Sequence, residues 1–197
     1  MASATSVVAA CVLAGLVVAG CGGDDADETE PADETPTSST KSTSGYDAPG
    51  GKVIFDLRVK PRDRHAAVDA YADWQRASTT ALRQRQMSAE VTDNAAEGPA
   101  QVVEDSLAKV RQEDYVVPRR MIGRIDSVRA RAGAAIVRAC LWSPSFDYRD
   151  RASGAAATKA KPRWIGVEVR MTRQAGQNGH WIVAGLSSRA DCKGARP

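Results

Sequence analysis

Hydrophobic and polar positions fall into three regimes along the chain. Val7 to Ala19 is an unbroken apolar run of thirteen residues. Between Gly22 and Gly50 the pattern collapses, and Tyr46 is the one large apolar side chain among acids, Ser, Thr, Pro, Ala and Gly. Periodicity returns after Gly51. Val53, Phe55, Leu57 and Val59 alternate at period two, which predicts a short strand or an extended lead-in, and Pro61 starts a new element. From about Asp63 to Met87, the positions Ala67, Ala70, Tyr71, Trp74, Ala77 and Ala81 recur at spacings of three and four, with Val68 and Leu82 beside them. Arg64, Asp69, Asp73, Arg76, Arg83 and Arg85 lie mostly elsewhere around the wheel, so the segment reads as a long amphipathic helix. Residues 88–98 interrupt it. Pro99 suits a helix first turn, and Val102, Val103, Leu107 and Val110 carry a second helix to about Glu113.

After Pro118 the period changes. Met121 to Arg129 alternates through Ile122, Arg124, Asp126 and Val128; Ala130 to Gly133 is a turn, and Ala135 to Trp142 is the returning strand. Residues 143–162 form an excursion rich in Ser, Pro, Asp, Gly and Lys. Trp164 to Thr172 places Ile165, Val167, Val169 and Met171 on one face. Gln174 to Gly179 is a turn holding Asn178-Gly179, and Trp181 to Leu186 pairs back. Helices followed by four antiparallel strands predict an α+β domain with the N-terminal helices packed on one face of a curled antiparallel sheet.

Charge sharpens this division. Overall, 27 Lys and Arg face 24 Asp and Glu, a net of +3. Residues 22–50 hold eight acids against Lys41, whereas residues 51–197 hold 26 basic and 16 acidic side chains, a net of +10. The acidic arm cannot bury enough surface to offset chain entropy, so residues 21–50 read as a disordered tether. A coil of that length reaches roughly 30 Å. The domain organisation expected is therefore an export segment over 1–20, a tether over 21–50 and one folded domain over 51–197.

The end of the apolar run, Val18-Ala19-Gly20-Cys21, resembles the bacterial lipobox, with an aliphatic residue at −3, small residues at −2 and −1, and cysteine at +1. The six residues ahead of the run lack the Lys or Arg usual in that class. The resemblance implies a signal peptide cut before Cys21, a diacylglyceryl group on its sulfur, and a protein held by acyl chains on the extracytoplasmic face of the cell membrane. Two or more acyl chains anchor stably where one is marginal. Cys11 would leave with the signal peptide. Cys140 and Cys192 then remain in an oxidising compartment, one in mid-strand and one past the last strand, and read as a disulfide. The sequence has no Cys-x-x-Cys to suggest a redox pair.

The order of elements, with Ala70-Tyr71-Ala72-Asp73-Trp74 on the first helix, Ala135 to Cys140 on a strand and Asn178-Gly179-His180-Trp181-Ile182-Val183 near the end, resembles secreted actinobacterial lipoproteins with a cystatin-like, NTF2-like (SnoaL-type) cone. That fold hosts isomerases, dehydratases and hydrolases as well as domains without activity, so function does not follow from it. Enzymes of this fold use a pocket Asp with a Tyr or His as general base, which makes Tyr71, Tyr115, Asp126, Asp147 and His180 the residues to locate. None sits in a specific catalytic motif, and no catalytic residue is assigned. No zinc, phosphate-loop or nucleotide-binding motif is present, so neither metal nor cofactor is expected. Trp74, Trp142, Trp164 and Trp181 each lie in an amphipathic element and read as core.

Arg119, Arg120, Arg124 and Arg129 lie close enough along the chain to share one end of a sheet, with Arg131 and Arg138 nearby, and Lys159, Lys161 and Arg163 form a second group. For an exported, tethered domain the partner of such a surface is an anionic wall polymer, lipid headgroups or an acidic protein rather than nucleic acid. The function expected is a membrane-anchored accessory or binding domain for an envelope partner or a small apolar ligand. The alternatives are a SnoaL-like enzyme on a small hydrophobic substrate and a structural envelope component.

Overall fold

The computed structural model describes residues 51–175, 179–189, 192–194 and 197. The export segment, the tether and Cys21 lie outside the described residues, as does the 176–178 part of the Asn-Gly turn. Strand β1 (Ile54–Arg58) is followed by a 3₁₀ turn (Pro61–Asp63) and helices α1 (Ala66–Gln84), α2 (Ala89–Asp93) and α3 (Glu97–Gln112). Then come β2 (Tyr115–Val116), β3 (Arg120–Arg131), β4 (Ala134–Trp142), a 3₁₀ turn (Ser143–Ser145), β5 (Arg149–Asp150), β6 (Trp164–Arg173) and β7 (Trp181–Arg189). The domain is α+β: helices pack against a curled, mostly antiparallel five-stranded sheet of order β1-β3-β4-β6-β7.

Helix α1 is shorter than its periodicity predicts, because both ends are set by specific caps. His65 sits at the N-cap in extended conformation, and its Nδ1 accepts from the Ala67 N–H. At the other end Arg85 adopts φ 56°, and its N–H together with that of Gln86 closes the last carbonyls on Leu82 and Ala81. The segment expected to interrupt the helices contains the extra turn α2 after Ser88. Helix α3 begins two residues before Pro99, which sits in its first turn.

The core lies between α1 and the sheet. Ala67, Val68, Tyr71, Ala72, Trp74, Ala77 and Ala81 meet Val137, Ala139, Val169, Met171 and Val183. The alanines let the helix approach the strands closely, while Tyr71 and Trp74 supply the bulk. Burying a large apolar side chain contributes about 1.5–3 kcal/mol, so these two are main anchors of the layer. Phe55 packs edge-on to both Tyr71 and Phe146, at centroid separations of 6.2 and 6.4 Å.

Two features depart from the sequence pattern. Strand β1 pairs parallel to β3, Ile54 opposite Arg120 through Arg58 opposite Arg124, so the lead-in is a fifth strand at the sheet edge. In β3 the register against β4 slips between Ile125 and Ser127, leaving Asp126 as a bulged residue. Met121 and Ile125 therefore face the core before the bulge and Val128 after it, where unbroken alternation had grouped Val128 with Ile122 and Arg124. The β3–β4 turn is also tighter than expected, at Ala132-Gly133, with Gly133 at φ 74°. Strands β4 and β6 stay in unbroken register from Ala134 opposite Thr172 to Trp142 opposite Trp164. A two-residue pairing of β2 with β5 closes one end of the domain.

Candidate functional site

The groups of a cone-type acid–base site are dispersed. Tyr71 is fully buried, and burial pushes its phenol up to about 12; its partner is the Gln75 amide, which donates to the hydroxyl at 3.0 Å. Tyr115, on β2, packs 5.9 Å from the Tyr148 ring. Asp126 lies on the bulge of β3, exposed, receiving Arg189 at 3.3 Å. Asp147 lies in the excursion after β4, where partial burial raises its carboxyl pKa while the Thr158 backbone and Arg149 oppose the shift. His180 is exposed ahead of β7, its Nε2 3.4 Å from the Asp93 carbonyl. No two of these five form a hydrogen-bonded pair among the described residues. Between α1 and the sheet, Thr79 donates to the Met121 sulfur at 2.9 Å. Among the described residues no group of three His, Cys, Asp or Glu side chains is placed to hold a metal ion.

An open groove of about 850 Å³ runs along the outer side of α1, between Lys52, Asp73, Arg76, Arg83 and Glu90. Its charges are mixed in sign and partly paired, Arg76 to Asp73. Its lining comes from α1, from Glu90 and Asn94 around α2, and from the residues just before β1.

The opposite face of the sheet is different. Side chains alternate across a strand, so paired residues share a face. The registers place Arg120, Arg124, Arg129 and Arg131 of β3, Arg138 of β4, Arg170 of β6 and Arg189 of β7 on the side away from the core. The face divides into two parts. Toward the β3 start, the arginines are engaged. Arg120 bonds Asp56 at 2.6 Å, Arg138 bonds Glu168 at 2.9 Å, and Arg189 reaches Asp126. Arg124 lies 4.7 Å over the Trp164 ring and donates to the Lys193 carbonyl. Trp142 packs on Trp164 at 5.4 Å, so both belong to this face and not to the core beneath α1. The Cys140–Cys192 disulfide, with Cα atoms 5.8 Å apart, pins the segment Cys192–Gly194 over this part.

Toward the β3–β4 turn, the arginines are exposed. Arg129 and Arg170 flank Ile136 from either side, in register, and Arg131 follows two residues along the same edge. All three are exposed, and none has a carboxylate partner among the described residues. Of the four arginines singled out in sequence, Arg120, Arg124 and Arg129 share this face. Arg119 precedes β3 and folds against Gly51 instead. Arg170 and Arg189 join the face from more than forty residues away, a juxtaposition only strand register creates. Period-two alternation on Trp164–Thr172 carried the available signal for Arg170.

No family model matches the chain, and no curated protein matches it. Among solved structures the chain is similar to the intermembrane space region of the chloroplast protein ARC6, with a TM-score of 0.41 and 15% identity over 64% of this chain and 95% of that one. A likeness that distant carries no argument about fold or function. What fold and site define together is an α+β domain whose sheet, on the side away from α1, carries a cluster of exposed arginines.

Proposed function

We propose that this chain is a lipid-anchored extracytoplasmic protein of the NTF2-like lipoprotein type, whose folded domain is a non-enzymatic accessory module binding an anionic envelope partner. The observation that carries the binding half is the exposed cluster Arg129, Arg131 and Arg170, which has no carboxylate partner among the described residues. Clustered guanidinium groups favour phosphate or carboxylate ligands, which they engage bidentately. The non-enzymatic half is supported by Tyr71, whose partner is an amide rather than an acid or base, and by the separation of Asp126 from it by the sheet. The anchoring half is supported by the Val18-Ala19-Gly20-Cys21 sequence after a run of signal length.

Two measurements test it. Cys21→Ser should release the protein from membranes or leave it as full-length precursor, and labelled fatty acid should be lost. Unchanged fractionation and processing in that variant, with no label in the wild type, would sink the anchor. The binding half requires salt-dependent retention of the domain on an anionic matrix, and turnover of small carbonyl or ester substrates by the purified domain would replace it with the enzyme reading.

A further inference from the structure

The open sheet face also has the shape and placement to meet one surface in particular. We infer that the Arg129–Arg131–Arg170 corner docks the domain onto the anionic phospholipid surface of the membrane that carries the chain, an inference that rests on the anchored binding reading above. Three observations point to this partner. The sheet sets the spacing: Arg129 and Arg170 are two strand spacings apart across Ile136, about 10 Å, and Arg131 is about 7 Å along β3 from Arg129. Guanidinium groups that far apart on an exposed sheet face can each meet a separate headgroup phosphate.

Half-buried Ile136 is the apolar side chain between Arg129 and Arg170. Among the described residues, the exposed large apolar side chains are Ile54, Val102 and Ile165. None adjoins the cluster in the sheet register: Ile54 lies opposite Arg120 at the far end of β3, Ile165 pairs with Leu141, and Val102 is on α3. Docking is thus electrostatic and peripheral, with no inserted anchor. Finally, the anchor proposed above would hold the domain beside the bilayer, so that this surface is the anionic one its arginines meet first. Each basic side chain near a strongly anionic surface contributes a factor of about five to partitioning.

Among the described residues the core runs from Val53 to Val183, and Cys140 and Cys192 both fall within 51–197, so residues 51–197 carry this core and its disulfide and serve as the soluble probe. The experiment sediments this domain with phosphatidylcholine vesicles, with and without phosphatidylglycerol, at low and high salt. Binding is expected only to the anionic vesicles and only at low salt. The triple variant Arg129→Gln, Arg131→Gln, Arg170→Gln should lower the partition coefficient about a hundredfold. A charge-matched triple, Lys159→Gln, Lys161→Gln, Arg163→Gln, should lower it severalfold at most. Because all six side chains are exposed, both variants should keep the wild-type melting temperature and an intact disulfide. Equal losses in the two triples overturn the inference, since net charge alone would then explain binding. A domain that ignores vesicles but is retained by soluble polyphosphate overturns the lipid surface and keeps the anionic binder. A domain that ignores both overturns both, and neither result touches the Cys21 experiment.

Discussion

Arg85 and Asp114, both in the left-handed region at φ 56° and 49°, are joined by an ion pair that ties the end of α1 to the end of α3. Arg151 donates to the same carboxylate oxygen from the excursion after β5. The hydrogen bonds from Arg85 and then Arg151 hold the Asp114 carboxyl below the usual carboxylate range. A depressed folded-state pKa gives stability that is present above the unfolded value, near 3.9, and lost as pH falls through the folded one. Asp114→Asn should therefore lower the melting temperature slightly at pH 7 and flatten its decline below about pH 4. Melting curves from pH 7 to pH 2 check this; parallel curves for both proteins would refute it. Separately, Arg85→Gly should be more stable than Arg85→Ala by about 1 kcal/mol, because only glycine takes that φ without strain.

Tyr71 gives a prediction at the opposite end of the pH scale. Desolvation raises its phenol to about 12, with the Gln75 bond acting against the shift. The unfolded chain ionises first, near 10, so the stabilisation is complete below pH 10 and falls by about 1.4 kcal/mol per pH unit between 10 and 12. Tyr71→Phe should be close to neutral at pH 7, where half-buried Gln75 regains water, and should remove this part of the alkaline loss. Urea midpoints at pH 8 and pH 11 are the measurement. A mutant midpoint that drops as far as the wild type's would place the alkaline sensitivity elsewhere.

How far the sequence reveals these features depends on whether the signal is local. Helix α1 is legible because its apolar positions recur within one element, and β4 and β6 because no bulge disturbs their alternation. Strand β3 is not, since a single extra residue, Asp126, inverts the faces midway and nothing in its identity announces a bulge. The parallel pairing of β1 with β3 joins segments more than sixty residues apart and leaves no local mark. The same holds for the site. Arg120, Arg124 and Arg129 are neighbours in sequence, but Arg170 reaches the face only through the β4–β6 register. The cysteine pair was legible by contrast, because the lipobox reading removes two of the four cysteines and leaves two. The sequence also does not mark the start of α1: the ring of His65 caps it and packs 5.4 Å from Trp181, a capping role more often filled by Ser, Thr, Asp or Asn.

The disulfide holds the C-terminal segment over Trp142 and Trp164, and its loss should be read there first. With a sequence separation of 52, the bond is worth about 2–4 kcal/mol by restricting the unfolded chain. The double variant Cys140→Ala, Cys192→Ala should lose that much by urea denaturation. Arg124 then keeps its ring contact but loses a fixed Lys193 carbonyl, so the tryptophan emission should shift to the red under native conditions. A variant with wild-type emission and unaltered midpoint would mean the segment is held by other contacts.

Gly123 decides how the edge strand seats on the core. It faces inward opposite Leu57 and Leu141, and a Cβ built there would lie 2.9 Å from the Phe55 ring and 3.2 Å from Leu141. Phe55 has little room to retreat, because its edge contacts fix it between Tyr71 and Phe146. Gly123→Ala should therefore cost about 1–3 kcal/mol by overpacking. The strain should be relieved by a smaller partner: Phe55→Leu alone leaves a void and also destabilises, but the double variant should lie well above the sum of the two losses. A double-mutant cycle by chemical denaturation measures the coupling, and additive losses would show that the strand absorbs the methyl by shifting instead. Since β1 is held to the sheet only along β3, amide exchange at Ile54 and Asp56 should accelerate in Gly123→Ala and return toward wild type in the double variant.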